Sequence, residues 1–429
     1  MTTQSEQSER NSAKPALAKS TGDPAEDPGS RRRALVYLSL AELLALSLWF
    51  SATAVLPALS REWQLGDSGR AGLTIAVQLG FIIGTLLSAL ANLPDVYSPR
   101  MIMAVSAGIG AIANGALALW VDSLGPALAL RAITGVCMAG AYPPAMKIMA
   151  TWFREGRGMA MGILIGALTV GSATPHLIRG ITDLAWRETL LAASLSAVVS
   201  CAIVIGLVKE GPYRFPAARF DVRMAGAIFR ERGLRLACCG YLGHMWELYA
   251  MWAWVGLFLT ESIQSRGGGT FVGFSPSVAT FLVIAVGGFG CYIGGVASDR
   301  WGRTALTMVS MALSGLCAAV IGFTFGGPPT LTFAIALFWG LTIVADSAQF
   351  STAITELSEP AYVGTALTVQ TCAGFALTMA SIWLIPPLVA WIHWRWAFAA
   401  LAAGPFLGVA AMGRLRSLPE ALKLAGGRR

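Results

Sequence analysis

Residues 276–325 read PSVATFLVIAVGGFGCYIGGVASDRWGRTALTMVSMALSGLCAAVIGFTF, two long apolar runs on either side of the charged turn Asp299-Arg300-Trp301-Gly302-Arg303. At 1.5 Å rise per residue, about 20 helical residues cross the hydrocarbon of a bilayer. Each run is long enough to cross, and so short a turn makes the two helices antiparallel neighbours. The same reading extends in both directions to twelve segments: 34–57, 71–93, 100–121, 126–148, 158–181, 188–208, 234–260, 276–298, 304–325, 330–353, 361–386 and 394–413. Charges, prolines and glycines separate them, as in Asp67 to Arg70, Asp122 to Pro126, Ser265 to Gly269 and Gly326 to Pro329. The expected fold class is therefore an all-α membrane protein of twelve transmembrane helices in two six-helix halves, 34–208 and 234–413. A linker, 209–233, joins them, with terminal tails at 1–33 and 414–429.

Composition supports lipid as the solvent. Of 429 residues, 55% are hydrophobic and 13% charged, with a mean hydropathy of +0.63. A soluble domain carries about 25% charged residues. The net charge of +8 sits in short clusters between apolar runs, which excludes a nucleic-acid partner in favour of basic cytoplasmic loops. The tails and even-numbered connections hold 23 of the 31 Lys and Arg, the odd-numbered connections six. The positive-inside rule then places both termini in the cytoplasm, in a multi-pass protein of the plasma membrane. Residues 1–30 are polar and aperiodic, as expected of a disordered tail. Arg31-Arg32-Arg33 before an apolar run imitates a signal peptide, but the run is too long and ends at Pro57 without a small-residue cleavage site, so a retained first helix is expected. A short amphipathic helix is expected near Phe220 to Phe229 in the linker.

The seven cysteines lie in or at the start of apolar segments without C-x-x-C spacing, and His176, His244 and His393 stand far apart. These patterns imply neither a disulfide framework nor a metal site, and no cofactor is expected. A nucleotide-binding G-x-x-x-x-G-K-[ST] loop is missing, as is a convergent nucleophile and base, which argues against an ATP-driven pump and against an enzyme.

The two sets of six segments repeat. Ala185-Trp186-Arg187 and His393-Trp394-Arg395 precede segments six and twelve at a shift of 208 residues. Arg157-Gly158 and Val363-Gly364 open segments five and eleven at a shift of 206, and Asp95 and Asp299 follow segments two and eight at 204. Equal order and nearly equal shifts argue for parallel halves related by an axis along the membrane normal.

The stretch Gly295-Val296-Ala297-Ser298-Asp299-Arg300-Trp301-Gly302-Arg303 resembles the G-x-x-x-D-R-x-G-R signature of the major facilitator superfamily. The N-terminal copy, Ala91 to Arg100, keeps Asp95 but lacks both glycines. Arg131-Ala132-Ile133-Thr134-Gly135 resembles the family's R-x-x-x-G pattern, and Trp152-Phe153 with Arg157-Gly158 its next cytoplasmic loop. The resemblance implies alternating access between two halves, a cytoplasmic latch at Gly295, Asp299, Arg300, Gly302 and Arg303, and a central path lined by helices one, four, seven and ten.

Ionisable side chains at mid-membrane cost about 2.5–3.5 kcal/mol on insertion scales, so those present should face a partner or a wet cavity. Glu42 lies in segment one, only about 12 Å from its cytoplasmic end, where it reads equally as a side chain snorkelling to the interface and as a path residue; Arg131 lies in four, His244 and Glu247 in seven and Asp346 in ten, while the interiors of segments three, six, nine and twelve hold no Asp, Glu, Lys or Arg. Trp49 shares a face with Glu42, and Trp339, Thr342, Asp346 and Gln349 make a polar stripe. His244 and Glu247, three residues apart, can bond or exchange a proton and are the favoured coupling pair, with Asp346 competing. Arg131 reads equally as a structural arginine on helix carbonyls and as a substrate or proton residue. The expected function is secondary, proton-coupled transport of a small organic solute by a monomer in contact with lipid. The alternative is a transporter-like sensor or scaffold without net flux.

Overall fold

In lipid every backbone N–H and C=O must bond within its own segment, so apolar runs of this length become helices. The computed structural model describes residues 28–153, 156–182, 184–213, 226–359 and 362–428. The first apolar segment is α1 (Pro28–Leu46), α2 (Ser51–Ala54) and α3 (Leu56–Glu62), broken by a turn at 47–50 rather than continuous. Next come α4 (Asp67–Leu90), the single turn α5 (Leu93–Val96), α6 (Pro99–Trp120), α7 (Leu124–Trp152), α8 (Arg157–Ile181) and α9 (Trp186–Gly206). After α10 (Ala227–Arg230) follow α11 (Arg232–Gln264), α12 (Pro276–Trp301) and α13 (Arg303–Ile321). The tenth segment is broken too, into α14 (Pro329–Ile343) and α15 (Ser347–Leu357), and α16 (Val363–Ala397) and α17 (Ala403–Arg416) complete the bundle. Of the expected linker helix, only α10 falls within the described residues; 214–225 and the tail to residue 27 lie outside them.

Among the described residues, nine helices are long and apolar enough to cross a membrane on length and composition alone. The difference from twelve has physical causes. Arg31 to Arg33 sit in α1, α11 carries His244, Glu247 and a run of Tyr and Trp, and Val363–Arg416 counts once although its 54 residues bend at His393, where φ is 58°.

Helix pairing follows the sequence repeat. In the first half α4 packs on α7, α6 on α7 and α9, and α1 on α8 and α9. The second half returns each pair, with α12 on α14, α13 on α14 and α17, and α11 on α16 and α17. Between the halves α8 packs on α12 and α4 on α16, two seams that exchange under a two-fold axis. A pair of matching hydrogen bonds supports the same axis: Trp186 Nε1 donates to Glu62 Oε2 and Trp394 Nε1 to Glu261 Oε2, both at 2.6 Å. The outward faces of α6, α9, α13 and α17 expose Ile112, Leu195, Leu316 and Leu407, an apolar surface that suits lipid. This is an integral membrane protein of α-helices.

Candidate functional site

Each of the two broken helices is contacted at its break by a polar side chain from a neighbouring helix. At the turn 47–50, Arg131 of α7 donates from Nη1 to the carbonyl of Leu48 (2.9 Å) and from Nη2 to that of Trp49. Nη1 also reaches Ser51 Oγ at 3.2 Å and Asn114 Oδ1 at 3.4 Å, and Asn114 Nδ2 donates to the Leu190 carbonyl on α9 at 2.9 Å. Arg131 is fully buried. A helix break frees carbonyls that lipid cannot satisfy, and a guanidinium with five donors is suited to collect them. Of the two readings of Arg131, the geometry supports the structural one.

The second break, at 344–346, is contacted by His244 of α11. Its Nδ1 lies 2.9 Å from Asp346 Oδ1 and its Nε2 2.8 Å from Ser347 Oγ. The His244–Asp346 contact lacks hydrogen-bond alignment, leaving both Asp346 oxygens without a well-directed donor. Tyr241 and Phe350 pack against the imidazole.

Glu247, three residues on, goes elsewhere. Its Oε1 accepts from Trp339 Nε1 at 2.7 Å and its Oε2 from Ser314 Oγ at 2.8 Å, inside the second half between α11, α13 and α14. The structure therefore brings His244 to Asp346 and Glu247 to Trp339. Gln349 is drawn to the turn motif, where it accepts from Arg303 Nη1 at 2.7 Å.

Between the halves, six rings meet: Trp49 and Phe50 at the first break, Phe81 of α4, Tyr249 and Trp252 of α11, and Phe375 of α16. Centroid separations run from 4.3 Å for Phe81–Phe375 to 6.1 Å for Phe50–Tyr249, the range of favourable aromatic pairs. On the elements that supply these rings are buried polar groups without a hydrogen-bond partner, both polar atoms of Gln78 and of Gln370 and the indole N–H groups of Trp49 and Trp252, and on α1 both carboxyl oxygens of Glu42 are without one as well. Tyr142 of α7 lies within electrostatic reach of Glu42 on one side and of Tyr241 and Tyr249 on the other. Buried polar groups are normally satisfied, so these unpartnered ones are the candidates for a functional site. The sequence reading missed Gln78 and Gln370, although a lone amide in an apolar segment is a usable signal. The ring partners Phe81, Tyr249, Trp252 and Phe375 gave none, because aromatic residues abound in such segments.

At the end of the bundle where α8 begins and α12 ends, the turn motif forms a tight joint. Gly302 takes φ 88°, a conformation glycine adopts without strain. Gly295 packs so closely on α8 that a Cβ there would lie 2.8 Å from the Gly158 carbonyl, and a Cβ on Gly158 would lie 3.0 Å from both Asp299 carboxyl oxygens. The Asp299 carboxylate thus lies at the first turn of α8, where a negative charge is stabilised. Arg303 grips Glu356 of α15 with two bonds, at 2.8 and 2.7 Å, and the Ala425 N–H donates to the same carboxylate. Arg300 points to the exposed surface. Asp95 falls on α5, and its side chain lies outside the described residues.

Asp299→Asn keeps the shape of this joint and removes its charge. The expected result is a shift of the resting population toward separation of α8 from α12, by about 1–2 kcal/mol. Spin-label distances between the two helix ends measure it, and unchanged distributions would rule out a latch at Asp299.

The sequence profile of the Major Facilitator Superfamily matches residues 38–375. The chain belongs to that superfamily. Among solved structures it resembles a proton:xylose symporter of the superfamily, with a TM-score of 0.69 at 15% identity over 90% of this chain and 95% of the other. It also resembles a nucleoside transporter, with a TM-score of 0.67 at 13% identity over 89% and 99%. At those identities the likeness is one of fold. A "probable transporter" of Streptomyces coelicolor is 27% identical over 263 residues, 59% of this chain and 57% of the relative. A "probable anion transporter 4, chloroplastic" of Arabidopsis thaliana is 29% identical over 185 residues, 38% of this chain and 33% of the relative. The matches thus span little more than half of the first curated relative and a third of the second. Membership in the superfamily sets the protein apart from membrane enzymes.

Proposed function

We propose that the protein is a secondary transporter that moves a small organic solute by alternating access of its two halves, driven by a proton gradient. The observation that carries this reading is the set of buried polar groups without a hydrogen-bond partner, with the carboxyl of Glu42 foremost. An ionised carboxylate without a donor is among the costliest groups to bury. A carboxyl that binds a proton when the halves close and releases it when they open avoids that cost, which ties proton movement to the conformational cycle. The relatives' transporter names agree with transport, and one structural neighbour is named as a proton symporter. The anion in the Arabidopsis relative's name finds little support at Arg131, whose Nη1 and Nη2 are both bonded at the first break, leaving Nε alone without a partner. Purified protein in liposomes with an imposed pH gradient, presented with a broad metabolite panel, is expected to accumulate at least one solute. Absence of flux for every solute would favour a sensor or scaffold.

In this reading the first half spans 34–208 and the second 234–413. Both termini and the 209–233 linker face the cytoplasm, and the protein works as a monomer in the plasma membrane. Ser265 and Ser417 are exposed at opposite ends of the bundle in this topology. Single cysteines there, in a background without the seven native cysteines, are expected to differ in labelling by an impermeant thiol reagent on intact cells. Position 265 should label and 417 should not; the reverse pattern would invert the topology.

A further inference from the structure

We infer that the central ring cluster is the solute-binding site and that its solute is a planar, uncharged heteroaromatic molecule bearing hydrogen-bond acceptors. The inference rests on the transport reading and deepens it. Three rings, Trp49, Phe50 and Phe81, belong to the first half, and three, Tyr249, Trp252 and Phe375, to the second. Parting of the halves therefore splits the cluster and presents ring faces on both walls. A flat solute entering between them recovers on both sides the stacking that opening removes.

Hydrogen-bonding capacity narrows the class. Three tryptophans are fully buried, Trp49, Trp252 and Trp339. Trp339 is bonded to Glu247, whereas the indole N–H groups of Trp49 and Trp252, the two in the cluster, have no partner. Gln78, one helical turn from Phe81 on α4, adds an unbonded amide. A buried N–H left unpaired carries its full desolvation cost, and an in-plane acceptor on the solute relieves it.

Charge narrows it further. The six ring residues include no acid, so a cation would have ring faces alone to stabilise it. An anion would need a free cation, and both Nη groups of Arg131 are bound at the first break, with Nε alone left unpartnered. A polyol would need many donors and acceptors around its ring, more than the amides of Gln78 and Gln370 and two indole N–H groups supply.

The test is equilibrium binding to the full-length protein in nanodiscs, with radiolabelled nicotinamide, quinoxaline and indole-3-carboxamide as neutral planar probes. Benzoate, tetraethylammonium and glucose serve as anionic, cationic and polyol probes. Saturable binding of at least one neutral heterocycle, undiminished by an excess of the other three, is expected. Trp49→Phe and Trp252→Phe keep a ring and remove the N–H, and one or both should weaken that binding about tenfold, the effect of one buried hydrogen bond. Both variants should melt with the wild type. Preference for benzoate, tetraethylammonium or glucose overturns the proposal, as does failure of all three heterocycles to bind, or heterocycle binding indifferent to both substitutions. Counterflow in liposomes separates the two readings. Exchange of a charged or polyol solute leaves the transport function standing while this assignment falls, and exchange of nothing removes both.

Discussion

Glu42→Gln protein, reconstituted with an inward-directed pH gradient, is expected to lose gradient-driven accumulation entirely, to the level of protein-free liposomes. The amide fixes the uncharged state of a side chain that is completely buried and has no hydrogen-bond partner. It fills nearly the same volume, so the packing of α1 against α8 and α9 is retained. Solute exchange without a gradient should survive, since exchange needs the conformational cycle and no net proton movement. Asp346→Asn and Glu247→Gln belong in the same experiment. The sequence reading favours Glu247, but its two oxygens are occupied by Trp339 and Ser314, a bonded arrangement with less need of a moving proton. Asp346, paired only with His244, is the stronger second candidate. Wild-type accumulation by Glu42→Gln, with loss in either of the others, would move the coupling role to that residue.

The second large effect is on stability. Arg131→Met is expected to destabilise the first half by about 3–5 kcal/mol, the usual cost of removing one partner from a buried charged network. The substitution preserves much of the apolar stem but leaves the carbonyls of Leu48 and Trp49 without their donors, and Asn114 and Ser51 lose a shared partner. Arg131→Lys should recover only part of the loss, because an ammonium cannot serve both carbonyls with the planar spread of a guanidinium. Denaturation midpoints in a single detergent, together with amide exchange across 46–51, measure both effects. A midpoint and exchange pattern equal to wild type in Arg131→Met would show that the break holds itself. His244 stands at the other break, but its loss should cost less, since it makes two contacts and leaves no backbone carbonyl exposed.

Several features of the candidate site were legible before any tertiary information. Lone charges in apolar runs pointed to Glu42, Arg131, His244, Glu247 and Asp346, and all five are buried. The turn motif was legible because its chemistry is local: Gly302 supplies a positive φ, and Asp299 and Arg303 stand at a helix end and a helix start. Partners were not legible. His244 and Glu247 are neighbours on one helix, yet they turn to different helices, and Gln349, placed by spacing on a central stripe, is bonded to the motif arginine instead.

The breaks show where sequence information ends. Ser47 to Phe50 and Val344 to Asp346 contain no glycine or proline, whereas Pro143 and Pro144 lie inside the unbroken α7. Propensity alone would put the interruptions in the wrong helices. What decides them is whether a donor on another helix can take up the backbone carbonyls that a break releases, and only the packed bundle brings Arg131 to one and Ser310 and Cys291 to the other. The sequence by itself determined that the chain lives in lipid, where its apolar segments lie and that they repeat, since these follow from hydropathy, charge and the bilayer's thickness acting on each segment separately. The tertiary structure decided which charges pair, which helices break and which polar groups remain without partners, because each of those depends on distances between residues far apart in the chain.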